Sequence, residues 1–450
     1  MMPENAGVRE GGTPFRGSAF RYWLASLSAA AFFGHLVVGA WYATHAEGLS
    51  SHISLRSSGE SYLASFHGWG TDHERDDALY NRTAIQIRAT GIPRDRDGAW
   101  FLHAPLYSYF IAGCYLLGGV RLWPLVLAQA ALSALACWWV GRAAFELGRG
   151  SPLAGLLAAG LYAVNLRISM YVGMVNPTSL VLCCAAWALW QATRVAKGAA
   201  PWAFVGAVVM GMYSQATFFV VGGAAVLWLA FRAWNGPTRA SAGWGAVAIL
   251  VFALAKVWVG AQALRTVSSG SGGHSVLWEA NNPYYENMGW ARAWERRPGN
   301  PWTTWVRSEE QQARFDEYLG RARQMGKDPG LLWIRENPGA YARLCLVRFR
   351  TTLGPSTGQM SPRNRMLSTV FWLVIFPAGA AGLWVSRRES EALLAALVIL
   401  ALTAFSTLVV TEWYLRYRLP MDLTLIVFAG VGYAAMNRRW RNAAWAHATA

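Results

Sequence analysis

An all-α polytopic membrane protein is the fold class this sequence predicts, and three observations predict it. Hydrophobic residues fill 54% of the 450 positions and charged residues only 14%, a balance foreign to a soluble domain of this size. Mean hydropathy over the whole chain is +0.23. Apolar stretches of membrane-spanning length recur along it, with arginines gathered at their ends. About ten transmembrane helices are expected, with juxtamembrane helices and an outer loop region.

The first apolar stretch, Tyr22 to Ala43 within 20–44, is longer than a signal-peptide core and has no convincing small-residue cleavage site after it. It should remain as a helix. Further spans read at 122–146, 152–174, 177–195, 201–214, 217–233, 242–265, 366–386, 391–411 and 420–437. One more apolar segment, His103 to Gly119, decides the topology. With Arg9, Arg16 and Arg21 cytoplasmic, the first span delivers the next loop to the outside. If 103–119 crossed, the short loops carrying Arg142/Arg149, Arg194/Lys197, Arg232/Arg239 and Arg387/Arg388 would all land outside, against the positive-inside tendency. If that segment lies along the surface, or dips in and returns, every one of them becomes cytoplasmic, together with Arg438, Arg439 and Arg441. Ten spans and one non-spanning helix are therefore expected.

The non-cytoplasmic surface then collects 45–102, the Gly173–Pro177 turn, the long segment 265–365 and the Glu412–Arg418 turn, and these four pieces are expected to build one site. The domain reading is an N-terminal transmembrane module at 1–265 with its first outer loop at 45–102, an extracytoplasmic region at 266–365, and C-terminal helices at 366–450. The long segment far exceeds an ordinary connection of about 4–6 residues, so it should fold locally and carry function. It contains Trp278-Glu279-Ala280-Asn281-Asn282-Pro283-Tyr284-Tyr285 and a polar helical run from Ser308 to Met325.

The net charge of +16 does not point to nucleic acid, because most cations sit at the ends of apolar segments, where orientation and snorkelling account for them. Only Lys197, Lys256 and Lys327 among the forty basic residues are lysines, and Ala and Trp are abundant, a composition that fits a GC-rich bacterial genome and an inner-membrane location. The five cysteines, Cys114, Cys137, Cys183, Cys184 and Cys345, fall in or beside apolar stretches without metal-ligand spacing and read as small buried hydrophobes. No protein metal site is expected.

Chemistry centres on Asp76-Asp77-Ala78-Leu79-Tyr80. Two adjacent carboxylates begin a run whose apolar residues at Ala84, Ile85 and Ile87 suit a short interfacial helix. Carboxylates there either cap the helix and complement its dipole, or take a proton from an acceptor as a lipid phosphate departs. His103-Ala104-Pro105-Leu106-Tyr107 follows, and near the other end comes Glu412-Trp413-Tyr414-Leu415-Arg416-Tyr417-Arg418-Leu419-Pro420. Arginines beside aromatics at the bilayer surface form either an ordinary interfacial belt or a bidentate phosphate site. Arg167 and Lys256 are charges inside spans. Arg167 has room to snorkel, whereas Lys256 needs a bundle partner or an aqueous cavity. Asn81-Arg82-Thr83 has the form of a glycosylation acceptor, a pattern common by chance.

The acidic pair with Tyr80, Gly91 some ten residues on, and the Pro105-Leu106-Tyr107 segment together resemble the GT-C glycosyltransferases, most nearly the branch of protein O-mannosyltransferases and aminoarabinose lipid A transferases. The resemblance implies transfer of a sugar from a polyprenyl-phosphate donor to a lipid, glycan or protein acceptor on the non-cytoplasmic face. It makes Asp76 the catalytic base and Asp77 the second acidic position. It brings Tyr80 and His103 to the substrate and Arg416 and Arg418 to the donor phosphate; Lys256, as a charge within a span and not through the resemblance, is a further candidate for that phosphate. His103-Ala104-Pro105 matches a His/Lys-Pro-Pro segment imperfectly, since Ala104 stands at the first proline. Where many members carry an acidic residue in the Met174-Val175-Asn176-Pro177-Thr178 turn, this chain has Asn176. An amide binds divalent cations weakly, so Asn176 is expected to act through hydrogen bonds, and a divalent cofactor is possible without being implied. The rival class is a transporter or translocator of lipid-linked sugars, which Lys256 alone favours.

Overall fold

In a bilayer every backbone polar group has to be satisfied within its own segment, so long apolar runs have little choice but helix. The computed structural model describes residues 14–45, 76–94, 104–235, 239–267, 281, 309–355, 362–409 and 415–448, and of Asp76, Asp77 and Ala78 the backbone alone. Sixteen helices are present among them. The first is α1 (Pro14–His45), followed by a short pair, α2 (Asp76–Thr90) and α3 (Pro105–Gly118). Next come α4 (Leu122–Leu147), α5 (Pro152–Ala163), α6 (Leu166–Val172), α7 (Thr178–Ala196), α8 (Trp202–Ser214), α9 (Phe218–Asn235) and α10 (Arg239–Val267). Three helices of the long segment are α11 (Glu309–Met325), α12 (Pro329–Glu336) and α13 (Pro338–Leu353), and the chain closes with α14 (Pro362–Val385), α15 (Ser390–Leu408) and α16 (Leu415–Ala448).

Eight of these, α1, α4, α7, α9, α10, α14, α15 and α16, contain stretches long and apolar enough to cross a membrane, so the chain is a multi-pass integral membrane protein. The expected span 152–174 is a broken one: α5 and α6 meet at 56°. Asn165 makes the break possible, since its side chain accepts from the Arg167 amide and starts α6 afresh. The expected span 201–214 is α8, whose 13 residues reach only about 20 Å, short of a full hydrocarbon core. Segment 103–119 yields α3 at 14 residues, again too short to cross. Pro105 at its first turn and Gly119, at φ +75°, bound it on either side.

The bundle is organised around α16, most of which is buried. It packs on α14, α5, α4, α7 and α15, while α1 lies across α4, α5 and α6. Small residues permit the closest of these contacts. A Cβ added at Gly382 would collide with the Phe428 carbonyl, and one added at Gly432 with that of Ala378, so α14 and α16 touch backbone to backbone. A buried histidine ties the broken span to its neighbours: His35 of α1 bonds through Nδ1 to Ser133 Oγ (2.7 Å) and through Nε2 to the Ala163 carbonyl (2.9 Å) at the end of α5. That carbonyl is one of those a helix end leaves without an internal partner.

The basic connections share one end of the bundle, as a non-spanning α3 requires. Arg142 and Lys197 both pair with Glu146, Arg149 pairs with Glu389, and Arg232 donates to the carbonyls of Val195 and Ala196. At the other end, α11, α12 and α13 enclose a second small core of Tyr318, Ala322, Leu332, Trp333 and Leu344. Asp328 caps α12 by accepting from Gly330 and Leu331, and Arg321 holds the Glu336 carboxyl below its ordinary value through a charged hydrogen bond. Tyr341 of α13 donates to the Leu408 carbonyl of α15 (3.1 Å), docking this group of helices on the bundle. Arg348, buried, donates to Asn281 (3.0 Å), the described residue of the 278–285 run.

Two outcomes are expected. Gly432→Leu should destabilise the α14–α16 contact by about 1–3 kcal/mol or more through overpacking, whereas Gly34→Ala, which meets open space, should not; thermal unfolding of the detergent-solubilised protein compares them. Equal melting would mean the helices are not in backbone contact. In a variant without the native thiols, Arg121→Cys and Ser151→Cys, at the two ends of α4, should label from opposite sides of the membrane; labelling from one side would refute the topology.

Candidate functional site

Two polar constructions occupy the end of the bundle where α2 sits, and α6 joins them. The first is a buried ladder that begins at Tyr80. Its ring meets the Tyr107 ring edge to face, with centroids 5.3 Å apart, and both side chains are fully buried. The Tyr107 hydroxyl donates to Gln129 Oε1 (3.2 Å), and Gln129 Nε2 donates to the carbonyls of Val172 and Met174, each at 2.9 Å. Burial pushes the Tyr107 phenol well above its ordinary value, so it remains a neutral donor. Beside it the Tyr115 hydroxyl donates to Asn81 Oδ1, and Asn81 is fully buried, which removes it as a glycosylation acceptor. The ladder seats α2 on α3 and α3 on α4 and the Gly173–Pro177 turn. Asp76 and Asp77 are the first residues of α2, where the helix dipole favours negative charge, and Asp76 stands one turn before Tyr80.

The second construction is an ionic cluster. Arg418 of α16 donates through Nε to Asp422 Oδ1 (2.9 Å) and through Nη1 to the Gly354 carbonyl. Arg167 of α6 approaches Asp422 Oδ2 with Nη1 (3.4 Å) and donates through Nη2 to the Pro355 carbonyl, which also accepts from Ser368 Oγ (3.0 Å). Asp422 is 2% exposed and Arg418 4%. Among the described residues two guanidinium groups thus face one carboxylate, leaving one positive charge in excess in a low-dielectric interior. Arg418 Nη2 and Arg167 Nε are buried and find no acceptor among the described residues. Guanidinium nitrogens only donate, so these two can be satisfied only by oxygen acceptors. An anion with several oxygens supplies acceptors and the missing negative charge together.

Arg167 and Val172 lie five residues apart on α6, about 8 Å along its axis. The ladder's far end and the cluster are therefore held by one short rigid element. Of the residues singled out in the sequence, Tyr80 and Arg418 are linked through this relay without touching one another, and Asn176 lies in the turn that the ladder contacts. Asn176 Oδ1 accepts from the Thr178 amide (3.1 Å) and its hydroxyl, an engagement that starts α7. Arg416 lies elsewhere: residues two apart on a helix project some 200° apart, and Arg416 instead donates to the Tyr417 hydroxyl (3.2 Å) with its guanidinium 5.1 Å from that ring's centre. Lys256 stands with α8 and α9. Its ammonium donates to the Met212 carbonyl (2.6 Å) near the C-terminus of α8 and lies over the rings of Tyr213 (5.4 Å) and Phe219 (4.9 Å). His103 and the side chains of Asp76 and Asp77 lie outside the described residues.

Sequence reasoning missed Asp422 and Gln129. Each carried a usable signal. Asp422 is the sole acidic residue from Leu415 to the end of the chain, four positions after Arg418 and on the same helical face. Gln129 is the one amide inside the apolar run 122–146.

Fold and cluster together define a helical membrane protein with an anion-suited polar site at one end of its bundle. The family model of dolichyl-phosphate-mannose-protein mannosyltransferases matches residues 102–259, about a third of the chain, and the GT-C resemblance is borne out over that stretch. Among solved structures the chain is similar to the archaeal oligosaccharyltransferase AglB from Archaeoglobus fulgidus, in complex with an inhibitory peptide and a dolichol-phosphate, at 13% identity and a TM-score of 0.49. That similarity covers 94% of this chain and 52% of the other, so the chain spans about half the archaeal protein's length. No curated protein compared with the chain matches it.

Removing Asp422 should be among the most damaging single changes. Asp422→Ala strands two buried guanidinium groups and should cost about 3–5 kcal/mol, whereas Arg167→Met leaves the Arg418–Asp422 pair intact and should cost less. Thermal unfolding in detergent orders the two, and an equal or reversed order would mean the cluster is not electrostatically held.

Proposed function

We propose that the protein is a membrane glycosyltransferase that moves a sugar from a polyprenyl-phosphate-linked donor to an acceptor at the α2 end of the bundle, on the non-cytoplasmic face. The observation that carries this reading is the Arg167–Arg418–Asp422 cluster, with its excess positive charge and unpartnered donors, coupled through α6 to the ladder that seats α2. The cluster is suited to the phosphate of the donor. The helix that begins with Asp76 and Asp77 supplies carboxylates, and the family model matched by residues 102–259 is that of dolichyl-phosphate-mannose-protein mannosyltransferases.

In this mechanism the Asp76 carboxylate takes the proton from the acceptor hydroxyl or amine as that atom bonds to the anomeric carbon. The bond from that carbon to the phosphate oxygen breaks, and its electron pair leaves on the lipid phosphate. A single displacement inverts the configuration at the sugar carbon. The phosphate is already a good leaving group, so positioning and charge stabilisation dominate the rate. Arg418 and Arg167 hold the departing phosphate, His103 serves it or the acceptor hydroxyl, and Asp77 supports Asp76. Basic loops gather at the opposite end, and the positive-inside tendency supports a cytoplasmic position for that end. The transporter reading loses its one favouring feature, because the Met212 carbonyl and two aromatic rings answer the charge of Lys256.

The test is transfer of labelled sugar from polyprenyl-phosphate donors to endogenous acceptors, in membranes holding equal amounts of wild type or variant. Asp76→Asn should lower transfer by roughly 10²–10⁴-fold, the range for loss of a general base, and Arg418→Lys should raise the donor concentration needed for half-maximal rate. Transfer undiminished by Asp76→Asn would remove Asp76 as the base.

A further inference from the structure

At the opposite end of the bundle, about 20 Å along α4 from Gln129, lies a second charged construction that the transfer mechanism does not use. Arg142 and Glu146 of α4, Trp190 and Arg194 of α7, Lys197 and Ala199 line an open depression of about 530 Å³. Three cations share it with one carboxylate. Glu146 pairs with Arg142 (3.3 Å) and with Lys197, while among the described residues Arg194 has a long contact to Gln191 (3.5 Å) and a place 5.5 Å from the Trp190 ring centre. The carbonyls at the end of α7 already accept from Arg232, so Arg194 and Lys197 are not spent on closing that helix.

Two donors in the wall have no acceptor among the described residues: Arg142 Nε and Trp190 Nε1, both buried. Neither nitrogen can accept, so the group that satisfies them brings oxygen acceptors, and the excess of cations requires it to be anionic. One turn deeper on the same two helices, Trp139 and Trp187 stack with their centroids 5.7 Å apart. Both are half-buried, and they carry the aromatic wall of the depression into the apolar span. A soluble phosphate has no use for that wall, whereas the glycerol and upper acyl carbons of a phospholipid lie at that depth.

We infer that the depression between the ends of α4 and α7 is a binding site for a phospholipid with a net anionic headgroup. The phosphate takes Arg194, Lys197 and the two open donors, and the acyl chains run along Trp139 and Trp187. The site is independent of the transfer reaction and of which face of the membrane it occupies.

Native mass spectrometry of the full chain, released from detergent after titration with phosphatidylglycerol, phosphatidylcholine or inorganic phosphate, tests this. Phosphatidylglycerol should remain bound at least ~10-fold more tightly than phosphatidylcholine, and Arg194→Gln with Lys197→Gln should abolish that preference, from the loss of two cations near the membrane surface. Trp190→Phe, which deletes one donor and keeps the ring, should weaken phosphatidylglycerol binding in a protein of unchanged melting temperature. Equal retention of both lipids by the wild type, or an undiminished preference in the double variant, would overturn the site. Inorganic phosphate displacing phosphatidylglycerol at matched concentration would overturn the lipid as its ligand.

Discussion

A carboxylate buried between two guanidinium groups holds the α2 end of this molecule in place. Asp422 belongs to the most buried helix of the bundle, Arg167 to the short second half of a broken span, and the carbonyls of Gly354 and Pro355 to the chain leaving α13. Neither α6, seven residues long, nor the chain leaving α13 is long enough, or apolar enough on all sides, to be fixed by hydrophobic contact alone. Inside an apolar bundle the loss of any member leaves a charge that water cannot reach, so the ionic contacts set positions that packing leaves loose. Once α6 is fixed, the carbonyls of Val172 and Met174 are fixed as well, and with them Gln129, Tyr107, Tyr80 and the helix that opens on Asp76.

The two ends of the bundle handle charge differently. At the basic end, cations lie at least partly in reach of water, pair with Glu146 or Glu389, or cap helix carbonyls, and their pairing is the kind that adds little to stability. At the α2 end the cluster is almost wholly withdrawn from solvent. A buried net charge is costly to keep, and a chain with 54% hydrophobic residues has many alternatives at those positions. Its presence is therefore better accounted for by a ligand than by folding, a reasoning that applies to ionisable groups inside membranes generally.

The spans were legible in the sequence because the bilayer imposes a length and a composition on each, and eight of the ten expected stretches are full candidate spans, with 152–174 broken and 201–214 short. What composition does not encode is continuity. The break at Val164 and Asn165 depends on an Asn that caps and on a histidine 128 positions away whose ring reaches the freed Ala163 carbonyl. The shortness of α8 likewise left no trace in an apolar run that blends into its neighbours. At the candidate site the run from Asp76 to Tyr80 was legible as the start of a helix, and Arg418 stood out as a cation, although the expected turn there is the first turn of α16. Their partners were not, since Arg167 and Asp422 lie 255 residues apart and no local pattern joins them. Lys256 shows the reverse case: a charge in a span looks functional in sequence, yet a helix end and two rings answer it.

The arrangement also bears on the order of events. Arg418 and Arg167 hold their remaining donors in place through contacts to Asp422 and to backbone, so the proposed phosphate site is formed in the protein alone and would require little reorganisation as charge develops on a leaving group. The carboxylates at the start of α2 depend on that same framework through α6 and the tyrosine ladder. Under the proposed function, an anion bound at the cluster would relieve the excess positive charge around α6, the element that also supports the ladder and the seat of α2. The element carrying the proposed base would thus be best positioned when the phosphate site is filled, a coupling that runs through contiguous hydrogen bonds rather than through any large movement of the bundle.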